Sequence, residues 1–360
     1  MVELVTATNS PLVTVLIPTI NRAHYIIDAV RSILCQTLHD IELIVVDDGS
    51  TDNTIESLAT LADPRLRVIQ HEYNRGIPET RNTTLLAATG HYIAWLDSDD
   101  IARPDRLAEQ VKFLNSNPAV AMVGTCAGKL RPDGSRKSGI RVPPLSPAMI
   151  SAWLLFRSAF QQSSIMGRAH VLQRYTYDPA FLVCEDFDIF QRLQSDHQLA
   201  NLPQVLIDRR LHPEQSIRLR QNEIQERKMA LIAPALERLD IDASADDLYR
   251  HVPLGKANLD GAEVPTDFLK WAQAWLQRLN GTNARSGLID PSSLAFTSDY
   301  FWLLACRAVA PRVGKLAAVK MMLRRPPRVL RTPAAYQWAK AAFPVYLGRG
   351  TSKLPVARSR

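Results

Sequence analysis

Short apolar runs recur through the first 125 residues of the chain, and more polar segments separate them. They are LVTVLIP (12–18), IELIVVDD (41–48), LRVIQH (66–71), HYIAWLD (91–97) and VAMVGT (120–125). Each run is short and apolar on both faces, which is typical of strands in a sheet that helices cover on both sides. The pattern therefore predicts buried strands throughout this part of the chain.

The segments between these strands carry a helical pattern instead. Predicted helices span residues 22–36, 52–62, 78–89 and 104–115. The first has one apolar stripe at helical spacing, formed by Ile26, Ile27, Val30, Ile33 and Leu34. The last is predicted to bury Leu107, Val111 and Leu114. Strands that alternate with helices predict βαβ units, and so an α/β, Rossmann-like fold with a mostly parallel sheet flanked by helices.

The pattern changes after residue 125. Residues 126–147 are rich in Gly, Pro, Arg and Lys, which indicates a hairpin or a mobile loop. Order resumes over residues 151–221, and residues 222–300 have a helical pattern, for example at 223–239 and 266–280. No internal repeat is present. We therefore predict three regions, which are an α/β domain over 1–220, a helical extension over 221–300 and a basic tail over 301–360.

The charge is distributed unevenly along the chain. The 360 residues carry a net charge of +7, yet residues 301–360 contain 13 Lys and Arg and no Asp or Glu, so residues 1–300 carry −6. The tail interleaves its basic residues with Leu, Val, Met, Trp and Tyr, which predicts an amphipathic helix on an anionic membrane surface. A basic helical subdomain that packs on the protein is the alternative. Nucleic acid is not an expected partner, because no recognition motif accompanies the charge.

Composition also indicates a compartment. A hydrophobic content of 46% and a charged content of 22% are ordinary for a soluble globular protein. The N-terminus lacks the basic region of a signal peptide, and no apolar run approaches the roughly 20 residues that span a bilayer. The four cysteines are far apart and form no CxxC pair, which disfavours a zinc site or a disulfide framework. We expect a cytoplasmic protein, peripheral at the inner face of the cell membrane.

Two of the predicted strands end in acidic clusters, VVDDGS (45–50) and WLDSDD (95–100). Ligands of parallel α/β sheets bind at the carboxyl ends of the strands, so both clusters belong on the expected binding edge. The carboxylate of Asp48 can accept hydrogen bonds from a nucleobase or a ribose. The alternative for this cluster is that Ser50, Thr51 or Asp52 caps the following helix.

The second cluster has the pattern D-x-D at Asp97, Ser98 and Asp99. Two acids at i and i+2 in an extended chain point the same way, and clustered like charges are unfavourable unless a cation joins them. Mg²⁺ or Mn²⁺, with partial coordination by substrate phosphates, suits such oxygen ligands. The alternative is a solvated loop in which Asp99 or Asp100 caps the helix at 104–115.

Three further positions carry candidate chemistry. In FLVCEDFDIFQRL, Glu185 and Asp186 precede a helix, and one of these carboxylates could act as a general base. The alternative is a pair of acids that the helix dipole favours. His212 could bind a metal or a phosphate, or be structural or exposed. Arg81 could pair with a diphosphate, or be a surface charge on a helix.

The chain resembles the family 2 inverting nucleotide-sugar glycosyltransferases, which have the GT-A fold. Seven stretches in order carry the resemblance, over about residues 11–220. They are VTVLIPTINR, SILCQT, IELIVVDDGSTDNT, NRGIPETRN, GHYIAWLDSDDIARPDRL, EDFDIFQRL and LHPEQSI. The motifs are specific for the family and not for the sugar.

The resemblance implies a role for each matching position. Asp48 would contact the base of the nucleotide, with Thr19 and Arg22 near it, and Asp97, followed by Ser98, would approach the ribose. Asp99 would bind the metal that bridges the diphosphate, and His212 would lie near that metal. Arg81 would help to hold the nucleotide. Asp186, beside Glu185, would deprotonate the acceptor hydroxyl.

The chain departs from the family pattern at three places. Ile20 stands where an aromatic residue is frequent, which argues against aromatic stacking on the base, and UDP is still the expected nucleotide. Thr84 replaces a usual glycine, which indicates a packing change. No QxxRW motif follows the Glu185–Asp186 pair, so we predict transfer of a single sugar to a glycan or lipid-linked acceptor, in contrast to a processive synthase.

Two other functions remain open at this point. One is a catalytically silent module that binds a nucleotide-sugar and serves as a membrane scaffold, which intact Asp99, Asp186 and His212 disfavour. The other is a nucleotidyltransferase on a similar fold. It would need a Gly-rich basic phosphate loop near the N-terminus, and IPTINRAH is not such a loop.

Overall fold

A computed structural model describes residues 10–212, 220–256, 267–314 and 320. Contacts between residues divide the chain into two compact units. The first holds the described residues up to Ser138, together with Pro143–Pro147 and Ser158–Arg227. The second holds Gly139–Val142, Ala148–Arg157 and the described residues from Lys228 onward.

In the described part of the chain, nine strands form one sheet, with the order β3-β2-β1-β4-β8-β6-β9-β5 and β7 paired to β6. The strands are β1 Val13–Thr19, β2 Ile41–Asp47, β3 Leu66–Gln70, β4 Tyr92–Trp95, β5 Ile101–Ala102, β6 Val120–Leu130, β7 Arg136–Arg141, β8 Met166–Arg168 and β9 Gln198–Arg210. Strands β1 to β4 pair in parallel, as do β6 and β9, whereas β8 pairs antiparallel with β4 and β6. The predicted α/β fold with a mostly parallel sheet is confirmed.

Helices follow most of the strands. They are α1 Ile26–Leu34, α2 Thr54–Ala59, α3 Ile77–Ala87, α4 Arg106–Ser116, α5 Pro147–Leu154, α6 Ala169–Leu172, α7 Glu185–Asp196, α8 Gln221–Glu237, α9 Ala245–Leu254, α10 Phe268–Ser286 and α11 Pro291–Val313. Helix α3 packs on β1 and β2, α4 packs on β6, and α7 packs on β9. The helices therefore cover the sheet in the way that the apolar strands require.

The core of the first unit follows the apolar pattern of the sequence. Every residue of β1 is buried, and so are Ile26, Val30 and Ile33 from the predicted stripe of α1. Ile27 and Leu34 from the same stripe are half-buried and pack at the edge of this core. The predicted interior residues of α4 are all buried, namely Leu107, Val111 and Leu114.

The region after residue 125 forms a hairpin, which is one of the two structures predicted for it. Strand β6 continues to Leu130, and a turn in which Arg131 N donates to Ser135 O leads into β7, so the hairpin alternative is correct. Strands β8 and β9 were not predicted individually. Strand β9 is long and pairs with β6 across register shifts near Thr125 and Cys126. These shifts interrupt the alternation of apolar and polar residues by which a strand is recognised in a sequence.

In the second unit, α9, α10 and α11 pack on one another. Helix α11 runs through the predicted boundary at 300/301, and its residues Phe301, Trp302 and Val309 are buried. The tail from residue 321 lies outside the described residues. Among the helices that the structure describes, none combines the length and the apolar character needed to cross a bilayer.

Candidate active site

The parallel register brings the ends of three strands to one edge of the sheet. Thr19 at the end of β1 pairs with Asp47 at the end of β2, and Asp47 pairs with Gln70 at the end of β3. On the other side of β1, β4 ends at Trp95, and Asp97 follows two residues later. The two acidic clusters therefore lie at the same edge, as the topology predicts.

Asp48 fixes the loop between β3 and α3. Its Oδ1 accepts hydrogen bonds from His71 Nδ1 at 2.8 Å and Arg75 N at 2.9 Å, and its Oδ2 accepts one from Gly76 N at 2.9 Å. A carboxylate has about four acceptor positions, and these protein donors occupy three of them. The buried side chain of Asp48 thus holds protein backbone in place, and these donors leave one of its acceptor positions unoccupied.

The first loop is tied to the loop after β2. Arg22 N donates to Thr54 Oγ1 at 2.9 Å, and Thr51 N donates to Asn21 Oδ1 at 2.9 Å. Asn21 adopts a positive φ of 49°, a conformation that asparagine tolerates. The hydroxyl of Thr19 is buried at this point and has no hydrogen-bond partner among the described residues. Thr19 and Arg22 therefore lie beside the segment that follows β2 and contains Asp48.

The D-x-D segment forms a compact carboxylate cluster. Oxygen atoms of Asp97, Asp99 and Asp100 all lie within 4.8 Å of one another. Ser98 between them is buried, and the side chain of Asp97 is 32% exposed. Burial and the neighbouring Asp99 raise the pKa of Asp97 more than the Arg81 guanidinium lowers it. Such crowding of carboxylates is relieved by a bound cation.

His212 lies directly against this cluster. Its Nε2 is 2.7 Å from Asp99 Oδ2, its side chain is almost fully buried, and its ring packs against Tyr25 with centroids 5.2 Å apart. His212 is therefore not an exposed histidine. The carboxylate oxygens are ligands that suit Mn²⁺ or Mg²⁺, and one imidazole nitrogen lies beside them as a further possible ligand. These residues fit a divalent cation, with Asp99 and His212 as the residues that would hold it.

Asp100 has a different role from the one predicted. The alternative considered from the sequence was that it caps the helix at 104–115, but its Oδ2 accepts a hydrogen bond from Ser163 Oγ at 2.5 Å and its Oδ1 accepts one from Arg210 N at 2.9 Å. Asp105 precedes α4, and its side chain makes no capping bond. Burial and the adjacent Asp99 raise the pKa of Asp100 well above its usual range. Asp100 therefore joins the cluster to β9.

The Glu185–Asp186 pair opens helix α7 at the same edge. Both acids lie in the first turn of the helix, so the helix dipole stabilises their negative charge. This stabilisation is present whether or not one of them is a general base. Glu185 is buried, whereas Asp186 is half-buried and accepts a hydrogen bond from Phe187 N at 2.8 Å. Burial and the charge of Asp186 raise the pKa of Glu185 to about 7, although Arg81 opposes this.

Arg81 connects the two acidic groups. Its Nη1 lies 3.1 Å from Glu185 Oε1, and its Nη2 lies 3.7 Å from Asp97 Oδ1. The side chain is only 4% exposed, so the alternative of a surface helix charge is wrong. The cluster of Asp97, Asp99 and Asp100 and the Glu185–Asp186 pair are therefore adjacent in space, although about ninety positions separate them in the chain.

Several residues of this edge were not predicted from the sequence. Ser163 and Arg210 bind Asp100, His71 binds Asp48, and Trp95 and Tyr177 flank Arg81. Trp95 offered a signal, because it is the last residue of the strand that leads into the acidic cluster. Ser163 and Arg210 gave none, since each acts through a contact of long sequence separation.

Comparison with known proteins agrees with this geometry. Residues 14–175 match the family model described as glycosyl transferase family 2. An uncharacterized glycosyltransferase of Haemophilus influenzae is 31% identical over 219 residues, which cover 58% of this chain and 68% of the relative. The chain belongs to glycosyltransferase family 2.

Another curated relative is a UDP-Glc:alpha-D-GlcNAc-diphosphoundecaprenol beta-1,3-glucosyltransferase of Escherichia coli. It is 38% identical over 113 residues, which cover 31% of this chain and 45% of that protein. Of three further curated relatives, the chain spans 21% of the length of two and 54% of the length of the third.

Solved structures show the same GT-A fold. Residues 1–349 of Staphylococcus aureus TarS, in complex with UDP-GlcNAc, superpose with a TM-score of 0.56 at 18% identity, covering 84% of this chain and 92% of that chain. A mannosyltransferase of Pyrobaculum calidifontis, in complex with GDP-Man and Mn²⁺, gives a TM-score of 0.51 at 20% identity, covering 93% and 85%.

Proposed function

We propose that this family 2 glycosyltransferase moves one sugar from a UDP-sugar to a hydroxyl of a glycan or lipid-linked acceptor, with a divalent cation and with inversion at the anomeric carbon. One observation carries the proposal. Arg81 contacts both Asp97 and Glu185, so the carboxylates suited to a donor and those suited to a base lie side by side. A single displacement needs both groups within reach of one anomeric carbon.

On the donor side, Asp48 offers its remaining acceptor position to the base, with Thr19 and Arg22 beside it. Asp97, followed by Ser98, faces the ribose. Asp99 and His212 hold the cation, which when bound neutralises the charge that grows on the leaving diphosphate. Asp99 Oδ2 and His212 Nε2 lie 2.7 Å apart, so both atoms are close to one point, and a bound cation would replace the proton that they share there.

On the acceptor side, Asp186 is the general base. The acceptor oxygen attacks the anomeric carbon while its proton passes to the Asp186 carboxylate, and the bond from that carbon to the diphosphate oxygen breaks with its electron pair leaving on the nucleotide. Asp186 suits this task because it is the more exposed member of the pair. Glu185 is enclosed beside Arg81 and supports Asp186.

The names of the similar proteins support the substrate classes. One relative uses UDP-Glc and a diphosphoundecaprenol-linked sugar, and one similar structure contains UDP-GlcNAc. Both the UDP nucleotide and the lipid-linked acceptor are proposals for this chain. A place at the inner face of the cell membrane follows if the basic tail binds anionic lipid.

The first experiment is a thermal-shift screen of UDP-, GDP- and dTDP-sugars with Mn²⁺, followed by a transfer assay with the best donor. A bound donor raises the melting temperature by mass action. Asp186→Asn is expected to lower kcat by about 10²–10⁴-fold, the usual contribution of a general base, while donor binding persists. Asp196→Asn, an exposed acid at the other end of α7, is the matched control.

Three results would contradict the proposal. No thermal response to any of these donors would exclude a nucleotide-sugar site. Donor binding without transfer or donor hydrolysis by the unmodified protein would favour the silent scaffold. Equal activity of Asp186→Asn and Asp196→Asn would assign the base elsewhere.

A further inference from the structure

Arg81 occupies an aromatic cage inside the first unit. The centre of its guanidinium lies 5.4 Å from the ring centroid of Tyr177 and 5.9 Å from that of Trp95. Aromatic faces attract a cation, and they do so more strongly where water is excluded. The cage therefore stabilises a buried positive charge at one fixed place.

The cage itself is fastened to the helix that carries Arg81. Asn82 Nδ2 donates to Tyr177 O at 2.8 Å, and Tyr177 N donates to Asn82 Oδ1 at 2.7 Å. Gln162 Nε2 donates to the Tyr177 hydroxyl at 3.1 Å, which fixes the outer end of the ring. Helix α3, Tyr177 and the segment before α7 are thus joined by directed bonds on both sides of the arginine.

From this cage Arg81 acts on its carboxylates through charge. Its Nη1 is 3.1 Å from Glu185, yet Nη1 and Nε have no hydrogen-bond partner of good geometry among the described residues. Both nitrogens are enclosed, so they face protein and not an open donor site. A guanidinium that holds a diphosphate would instead present its fork toward the ligand.

The start of α7 needs such support. Cys184, directly before Glu185, adopts a left-handed conformation with φ of 64°, which costs a residue other than glycine free energy. The conformation of this turn determines the direction in which the side chains of Glu185 and Asp186 point from the first turn of α7. An ion pair from Arg81 to Glu185 holds the turn in place, and Asp186 is the next residue.

We infer that Arg81 is a positioning residue for the acceptor-activating pair Glu185–Asp186, and that it does not hold the donor diphosphate. The inference rests on the proposed function, because it assigns Arg81 to the base side of that same site. It departs from the role that the resemblance implies for Arg81. Through Asp97, the same guanidinium also sets the distance between the base side and the ribose side.

The two roles predict different kinetics. If Arg81 positions the base, Arg81→Lys is expected to lower kcat by tenfold or more, since small displacements of reacting groups cost about that much or more. The dissociation constant of UDP with Mn²⁺, measured by calorimetry, is expected to change by less than about threefold. If Arg81 holds the diphosphate, UDP binding weakens while kcat at saturating donor persists, and the inference is overturned.

The matched control is Arg192→Lys. Arg192 also pairs with an acid of α7, since its Nη2 lies 2.6 Å from Asp188 Oδ2, but this ion pair is partly exposed and includes neither Glu185 nor Asp186. Arg192→Lys is expected to change neither kcat nor UDP affinity. An equal loss of kcat in both variants would show that any ion pair to α7 has this effect. That result would contradict a specific role of Arg81.

A second variant, Glu185→Gln, allows the inference to be tested even if Arg81→Lys folds poorly. Glu185→Gln keeps the shape of the side chain and removes the charge that Arg81 contacts, so kcat is expected to fall with UDP affinity kept. The double variant is expected to be no worse than the poorer single one, because the two residues act as a unit. Additive losses would contradict the coupling.

The pH profile of kcat distinguishes the proposed role of Arg81 from a purely structural one. If Arg81 were only structural, its replacement would not shift that profile. Glu185 is faced by Arg81 from α3, by Asp97 after β4, by Tyr177 and by Asp186 on its own helix. Arg81→Gln removes the one positive charge in this set, so the acidic limb of the profile is expected to move to higher pH. An unchanged profile would overturn the inference. Failure of the unmodified protein to bind UDP would instead overturn the proposed function, and this inference with it.

Discussion

At the scale of residues, a buried arginine lies beneath the acidic cluster. Arg106 has no exposed surface, and its Nη2 donates to Trp95 O at 2.7 Å and Ile165 O at 3.2 Å. Burial lowers its pKa to about 9, although Asp100 and Asp97 act in the opposite direction. Arg106 thus supplies positive charge from within the core, and it tolerates that burial because carboxylates lie nearby.

Asp99 is expected to be the acid on which cation binding depends most. Asp99→Asn should weaken Mn²⁺ binding and lower Mn²⁺-dependent sugar transfer by about a hundredfold or more, because the variant removes an anionic ligand. Titration of Mn²⁺ followed by electron paramagnetic resonance measures the binding, independently of turnover. Asp105→Asn, an exposed acid before α4, is the control. Unchanged Mn²⁺ affinity of Asp99→Asn would exclude Asp99 as a ligand.

Glu185 is expected to make stability fall as the pH rises. Its carboxyl has a folded-state pKa of about 7 against an ordinary value of 4.5. Between these values the folded protein binds more protons than the unfolded chain, so the free energy of unfolding decreases with pH through this window. Glu185→Gln is expected to remove a dependence on the order of 1–3 kcal/mol, at about 1.4 kcal/mol per unit.

Urea denaturation at pH 5 and pH 8, without divalent cations, measures this dependence. Glu56→Gln, an exposed glutamate of α2, is expected to leave the difference between the two pH values unchanged. If Glu185→Gln kept the full difference, the pH dependence would belong to other groups.

The residues that the sequence could predict are those with a local signature. Asp48, Asp97, Asp99 and the Glu185–Asp186 pair stand at the ends of apolar runs or at a helix start, and the structure places all of them at one edge. The role of Asp100 could not be read in this way, because Ser163 and Arg210 are 63 and 110 positions away from it. Local pattern contains no information about such partners.

At the scale of elements, the turn after β2 depends on one glycine. Gly49 has φ of 71°, and a Cβ added there would lie 2.8 Å from the backbone carbon of Tyr73 and 2.9 Å from Asn74 N. These atoms belong to the loop that Asp48 holds. The turn and the loop therefore approach each other more closely than any side chain allows.

Gly49→Ala is expected to destabilise the protein by about 2 kcal/mol or more, since it adds both strain at positive φ and a backbone clash. Gly281→Ala is the control, because Gly281 lies in α10 and a Cβ there meets nothing within 4 Å. That variant is expected to stabilise the protein by up to about 1 kcal/mol. Equal melting temperatures of the two variants would contradict the argument.

Elements with strong periodicity were predicted well, and those defined by pairing were not. Helix α4 buries its predicted residues, and α8 and α10 lie close to the predicted helices at 223–239 and 266–280. Strand β9 carries Pro203 and has register shifts against β6, so neither a period of two nor a continuous apolar run marks it. Its partner lies far away in the chain, and only the assembled sheet determines that pairing.

At the scale of the whole molecule, the structure shows where to truncate the chain in order to test whether the basic tail binds an anionic membrane surface. Helix α11 ends at Val313, with Val309 buried, so a truncation after residue 306 would cut into a packed helix. Ending the chain at Gly314 keeps α11 whole. It removes every Lys and Arg of residues 301–360 except Arg307 and Arg312.

The chain that ends at Gly314 is expected to lose binding to vesicles that contain anionic phospholipid. Each basic residue near such a surface contributes about 1 kcal/mol, so the loss should be large at low salt and absent for neutral vesicles. Donor hydrolysis is expected to persist. Sedimentation with vesicles measures the binding, and equal binding of the truncated and full chains would favour a tail that packs on the protein.

The pairing of Asp99 with His212 also has a consequence for the order in which the chain assembles. The two residues lie 113 positions apart, so at 5–20 residues per second roughly 6–23 s pass between their synthesis. During that interval the acidic cluster exists without its histidine and without β9. The nascent chain can pair β1, β2 and β4 while the proposed cation site is still incomplete, and that site is finished only when β9 joins β6.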